Sequence, residues 1–503
     1  MQSIIKKDNY PYFDITGVDS AECSVDTEYY LPDYCPDIQK ILKCTPDVQI
    51  ISETLSADKL SITGNLNIIV MYTDEKGDSV RNCELSKEFT LNIKVSTDPS
   101  KTLAFLKCCC GHIICRAVSA RKLDIHIPVI VNYSFCTLKE CETSCDTAGM
   151  EKKETTIFVS KAERLIKRDF SISQNIELTS TMKPVESIIR KDIEFTNVKT
   201  EVTDDFAELT ATAEVTVIYR SYSENSDIEK LKYKIPFSER IEITGIRHKT
   251  KLKCDINKGE LSLQPKEDTT GENTVISLYS KFTVNLLLYN DEEIKVLEDA
   301  YPIDYLSEEK YVKQNFKIYT EEKIPVSFSA ELGTENLEKV IDLWCDDSEI
   351  LAFRELDKIN FRGKFNVNLL YLNTDKKVCF LSKPMDFSNQ LTINEEKQLK
   401  ALCSLSVNIG SFKIESEASL KTDFAININA FIEEVITVNM LLSSEEKEIY
   451  IPEGGRISVI YNGENRSLWD IAKENRVAAA EILEINGISS EEELSFPILL
   501  YKK

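Results

Sequence analysis

The chain has 503 residues, 42% of them hydrophobic and 29% charged, which is ordinary for soluble globular protein and long enough for three or four domains. Its net charge of −23, with no basic run, excludes nucleic acid and anionic membrane as main partners, because both require clustered Lys and Arg. No stretch of about 18 apolar residues is present, so no transmembrane helix is expected. The first residues lack the apolar core of a secretory signal, so the expected compartment is the cytosol. The 15 cysteines, eleven of them before residue 146, are then expected as thiols or metal ligands.

Residues 1–30 read as a polar lead-in with one or two strands. LPDYCPDIQKIL follows, and its two prolines fix an extended approach to residues 37–72. That stretch recurs without a gap at 184–219 and 336–371. Each copy has an early aliphatic pair (Ile41-Leu42, Ile188-Ile189, Val340-Ile341) and closes on a tyrosine (Tyr72, Tyr219, Tyr371). The closing segments alternate. Leu60, Ile62, Gly64, Leu66, Ile68, Val70 and Tyr72 share one face in the first copy. Ala207, Leu209, Ala211, Ala213, Val215, Val217 and Tyr219 do so in the second. Ile359, Phe361, Gly363, Phe365, Val367, Leu369 and Tyr371 do so in the third. A period of two predicts a strand with one buried face. The small third residue (Gly64, Ala211, Gly363) predicts a bulge or a close neighbour.

A glycine-tipped turn after Tyr72 and a return strand over 83–95 make a hairpin. Further return strands are expected over 231–246 and 380–393, and late strands over 122–135, 277–290 and 423–435. Residues 140–160 read as a flexible polar linker, and 161–167 and 336–343 as short helices. Near residue 447 the character changes: a strand over 456–461, a helix capped by Ser467, a second helix over 478–484 stopped at Asn486-Gly487, and a strand over 498–501. The expected class is mostly β: three tandem antiparallel β-sandwich-like repeats (1–155, 156–305, 306–446) and a small β-α-α-β unit (447–503).

The tail resembles a LysM domain through Ser467-Leu468-Trp469-Asp470-Ile471-Ala472-Lys473, Val477, Ile482-Leu483 and Asn486-Gly487-Ile488. That resemblance implies a shallow groove between the 463–468 and 486–489 loops, which in LysM modules takes N-acetylglucosamine-containing glycans. Here GENRS replaces the usual Gly-Asp-Thr, and Phe496-Pro497 the usual Pro-Gly, which redirects the expectation toward protein. The repeats resemble the SPOCS domain of clostridial-type sporulation proteins, through Pro32, Pro36-Asp37-Ile38, Ile41-Leu42, the tyrosine-closed strand and Ile235-Pro236-Phe237-Ser238. Three such repeats followed by one LysM unit resemble the SipL-type family of spore coat morphogenetic proteins. The resemblance implies a non-enzymatic scaffold in the mother cell, at the forespore surface and spore coat. Through its LysM unit it would bind the coat-basement morphogenetic ATPase, alongside other coat proteins. The alternative is a cell-wall accessory protein that binds peptidoglycan. Ser467, Leu468, Trp469, Asn486 and Ile488 are the expected groove contacts, with Trp469 and Leu468 as simple core residues the competing reading.

Cys108, Cys109, Cys110, His112 and Cys115 lie within eight residues. Cys108, Cys110, His112 and Cys115 carry the ligand types of a tetrahedral zinc site, but the paired C-x-x-C knuckles are absent. Plain thiols and later disulfide cross-linking of the coat are the other readings. No cofactor is expected. Neither G-x-S-x-G, a P-loop nor H-E-x-x-H occurs, and only three histidines are present, so no enzyme activity is expected.

Overall fold

Alternating Leu, Ile, Val, Phe and Tyr make extended backbone with one apolar side, and that side can only be buried against a second sheet. The computed structural model describes residues 5–75, 77, 79–222, 227–392, 398–449, 456–460, 467–489 and 497–502. The first module contains β1 (Ile5–Ile15), β2 (Asp19–Tyr30), β3 (Lys40–Leu55), β4 (Lys59–Thr73), β5 (Val80–Lys94), β6 (Thr102–Cys110), β7 (Ile114–Ser119) and β8 (Lys122–Thr147). The second contains β9 (Glu151–Glu177), β10 (Val185–Thr203), β11 (Phe206–Ser221), β12 (Ile228–Glu242), β13 (Lys251–Lys266) and β14 (Val275–Tyr301). The third contains β15 (Tyr305–Gly333), β16 (Leu337–Glu355), β17 (Lys358–Asn373), β18 (Val378–Thr392), β19 (Gln398–Ser416) and β20 (Ser419–Ile449). The tail contains β21 (Arg456–Ile460), α1 (Leu468–Asn475), α2 (Ala479–Asn486) and β22 (Ile498–Lys502).

The same two antiparallel sheets recur. The repeat forms the meanders β3-β4-β5, β10-β11-β12 and β16-β17-β18. The other sheet is built on a long central strand, in the orders β13-β14-β9 and β15-β20-β19. In the first module both flanking strands are broken. β1 and β2 pair with successive parts of β8 on one side, and β6 and β7 on the other. Each pair of sheets shares one apolar core, and every alternating residue named above is buried in it.

The small third residue answers to an aromatic ring. Gly64, Ala211 and Gly363 lie opposite Phe89, Phe237 and Phe387 on the return strand. The closing tyrosine tethers its own copy's lead-in. Tyr72 Oη donates to the Pro36 carbonyl and Tyr219 Oη to that of Lys183, both at 3.2 Å, while Tyr371 Oη accepts the Glu335 N–H at 3.3 Å.

Three expectations are corrected. Residues 140–160 are not a linker: β8 runs to Thr147 and β9 starts at Glu151, joined by a tight turn. Residues 161–167 lie in β9 and 337–343 in β16, where both make ladder hydrogen bonds rather than helical ones. Tertiary pairing overrides the short apolar spacing that suggested helices. The lines drawn at 155/156, 305/306 and 446/447 fall inside β9, β15 and β20.

The modules also pack on one another. At the tyrosine end both faces of the strand are buried, and Met71, Ile218 and Leu370, one position of the repeat, meet with Leu42, Ile189 and Trp344 in a shared cluster. Buried polar contacts surround it: Asp342 accepts from Arg190 Nε at 3.1 Å and Lys230 Nζ at 2.5 Å, and Lys43 reaches Asn368 at 2.8 Å. The long strands overrun their sheets as two-stranded ribbons that meet in two further clusters. There Tyr319 Oη accepts the Phe13 N–H at 2.9 Å, and Tyr10 Oη donates to the Ser160 carbonyl at 3.0 Å.

Candidate docking surface

The tail is placed by its own caps and by the end of one ribbon. Ser467 closes a capping box on α1: its Oγ accepts the Asp470 N–H at 3.2 Å, and Asp470 Oδ2 accepts the Ser467 N–H at 3.1 Å. Asp470 is held below the usual carboxylate range first by the Ser467 hydroxyl, which donates to Oδ2 at 2.7 Å, and then by the Ser467 N–H. Arg476 ends α1 and Gly487 ends α2, both in left-handed conformation. Leu468, Ile471, Ala472, Val477, Ile482, Ile498 and Leu500 form the small core. One member of that core comes from elsewhere: Tyr301, the last residue of β14, is buried in it and donates to the Val477 carbonyl at 2.8 Å.

Asp299, two residues earlier, completes the attachment. Its carboxylate accepts from Trp469 Nε1 at 2.8 Å, from Lys473 Nζ at 2.7 and 2.8 Å, and from Tyr311 Oη at 2.6 Å. Burial pushes this carboxyl up, but the three donors outweigh it and hold the group below the usual range. Burial likewise works against the Lys473 charge, yet Asp299 and Tyr311 leave the ammonium raised. Arg476 adds bonds to the carbonyls of Pro302 at 3.1 Å and Tyr305 at 2.7 Å.

The five expected groove residues therefore have different surroundings. Ser467 caps a helix and Leu468 is core. Trp469 faces Asp299 and crosses the Tyr301 ring edge-on, centroids 5.0 Å apart. The Asn486 side chain bridges α2 to β22, donating to the Leu499 carbonyl and accepting the Leu499 N–H, each at 2.8 Å. Ile488 is half-buried, its N–H on the Leu483 carbonyl at 3.0 Å. Of the expected groove walls, residues 463–466 lie outside the described residues, as does Phe496.

An outward surface exists on the other side. β21 and β22 pair Ile457 with Tyr501 and Val459 with Leu499. Ile498 and Leu500 point into the core, so these four point away from it, and all four are exposed. The apolar residues at 457, 459, 499 and 501 carried this signal. Nothing local in the sequence marked Asp299 or Tyr301 as tail ligands.

The cysteine-rich stretch divides by strand parity. Cys108 and Cys110 pair with Val131 and Val129 and face the core, while Cys109 faces outward and its sulfur accepts from Asn132. His112 is exposed in the break between β6 and β7. Among the described residues no group of three or more His, Cys, Asp or Glu is arranged to hold a metal ion. Burial pushes the Cys108 thiol up to about 12. No helix of the described residues is long and apolar enough to cross a membrane.

Residues 37–117 and 184–264 match the family model described as SipL, SPOCS domain. Two of the three repeats are thus similar to SipL-type SPOCS domains. In both, the SPOCS match opens with the meander sheet and continues into the flanking strand of the second sheet, β6–β7 or β13. The third repeat and the tail lie outside the matched residues. No curated protein and no solved structure matches the chain.

Proposed function

We propose that this chain is a non-enzymatic scaffold of the spore coat. It works in the mother cell at the forespore surface, and its LysM-like tail docks a coat-basement morphogenetic ATPase. The observation that carries this reading is the pair of SipL SPOCS matches at 37–117 and 184–264. The β-α-α-β order of the tail agrees with a LysM unit.

The contact surface follows from which side chains are already engaged. Leu468 and Asn486 serve the tail's own core and Trp469 its attachment to Asp299. Among the described residues the exposed apolar side chains of Ile457, Val459, Leu499 and Tyr501 have none of these duties, and contiguous exposed apolar surface is a usual mark of a protein contact. Docking is assigned to that face, with Ile488 as a neighbouring contact.

The test uses the full chain, purified coat-basement ATPase and insoluble peptidoglycan. The double variant I457E/L499E is expected to lose ATPase capture by at least about tenfold, equivalent to ~1.4 kcal/mol, with an unchanged melting temperature. Undiminished capture by the folded variant would overturn the contact face. Sedimentation with peptidoglycan and no ATPase capture would replace the reading with that of a glycan-binding wall accessory.

A further inference from the structure

Two of the chain's 15 thiols come together across the first module. Cys44 on β3 pairs with Val70 and Cys115 on β7 pairs with Ile125, and both partners are fully buried. Strand partners point to the same side, so the two thiols face the core from opposite sheets. β3 and β7 are the margins of their sheets, and their backbones approach within 8 Å, Cα to Cα. Each packs against the same core of the first module, and each is the strongest influence on the other's thiol.

Strand spacing excludes two other pairings, Cys44 with Cys83 and Cys110 with Cys115. Cys83 is also a partner of Val70, on its far side, which puts it two strand spacings, about 9.5 Å, from Cys44. Cys110 and Cys115 lie opposite Val129 and Ile125, about 13 Å apart along β8. A disulfide needs Cα atoms within about 7 Å. We propose that Cys44 and Cys115 form an oxidation site, closed by a peroxide to a disulfide that staples the two sheets of the first module.

Cys115 is the attacking sulfur. The neighbouring Cys44 lowers its thiol against the effect of burial, while Cys44 itself is raised by Cys115 and by burial. Cys115 is only half-buried, open to a small oxidant. Its thiolate attacks one peroxide oxygen; the S–O bond forms, the O–O bond breaks, and the departing hydroxide takes a proton to become water. The Cys44 sulfur then attacks the sulfenic sulfur of Cys115. The S–S bond forms, the S–O bond breaks, and the hydroxide leaves with the Cys44 proton as a second water. Two thiols are oxidised by two electrons, and hydrogen peroxide is reduced to two waters.

The experiment treats the folded full chain with hydrogen peroxide, alkylates the remaining thiols after denaturation, and maps peptides without reductant. The alkylated count is expected to fall by two from 15, with one linked peptide pair joining Cys44 to Cys115. Dithiothreitol should reverse it, and the oxidised chain should melt several degrees higher than the reduced one. C44S should leave a sulfenic acid on Cys115 that dimedone traps. All 15 thiols surviving peroxide, a link between Cys35 and Cys83 or Cys110 and Cys115 in its place, or only intermolecular links would each overturn the proposal. The wild-type peptide map decides this even if a variant fails to fold.

Discussion

The indole N–H of Trp469 donates to Oδ2 of Asp299 at 2.8 Å, across 170 residues of chain. The tail is thereby fastened to the end of β14 by the tryptophan that its sequence presents as a groove contact. Asp299→Asn keeps an acceptor for the indole but removes the negative charge facing the half-buried Lys473. The expected loss is about 1–3 kcal/mol of attachment. Hydrogen exchange should quicken across α1 while the three β modules keep their protection. Unchanged exchange in α1 would show that the carboxylate does not fasten the tail.

The same contact sets a pH window. The Asp299 carboxyl is depressed in the folded chain from an ordinary value of 3.8. Its contribution is therefore complete above that value and is lost as pH falls through the lower folded one. Lys473 is raised from 10.5, so its contribution is complete below that value and is lost only as pH rises past the folded one. Attachment should hold between about pH 4 and 10 and weaken under more acidic conditions. Tryptophan fluorescence of a Trp344→Phe chain, which leaves Trp469 alone, should shift to the red below about pH 4 but not at pH 9.

Gly64 and Gly363 should respond differently to alanine. A Cβ at Gly64 would lie 2.6 Å from the Gln49 carbonyl oxygen and 2.5 Å from the Phe89 ring. At Gly363 the three nearest atoms belong to the Phe387 ring. A ring can turn, as the Ala211–Phe237 pair of the second module illustrates, whereas a ladder carbonyl cannot. Gly64→Ala is expected to cost about 1–3 kcal/mol and Gly363→Ala less. Denaturant midpoints compared at equal slope check the order, and equal losses would refute the distinction.

Asp342 joins the second and third modules. Its side chain is 1% exposed and accepts from both Arg190 and Lys230. Asp342→Ala would leave two cations facing an apolar cluster, with an expected loss of about 3–5 kcal/mol. Asp342→Ala combined with Lys230→Met should recover part of that loss. Strictly additive losses in the double-mutant cycle would argue against the coupling.

Much of the fold was legible because strand parity is local. The buried faces of β4, β11 and β17, the return strands, and the caps at Ser467 and Gly487 stand where the alternation and the capping residues put them. Residues 140–160 misled because ribbon strands exposed on one side are as polar as a linker. Residues 161–167 and 337–343 misled because short apolar spacings fit either period. The surroundings of the candidate contact residues were not legible: Leu468 and Trp469 read alike in the sequence, and only packing sends one into the tail's core and the other to Asp299.

By itself the sequence determined that three copies of one strand unit precede a small helical unit, and which side of each closing strand is apolar, because those follow from nearest-neighbour geometry along the chain. Only the tertiary structure decided that Met71, Ile218 and Leu370 meet in one cluster, that Tyr301 completes the tail's core, and that Cys44 faces Cys115. Such contacts join residues far apart in sequence, and they depend on how whole sheets twist and pack. No local period of residues encodes that.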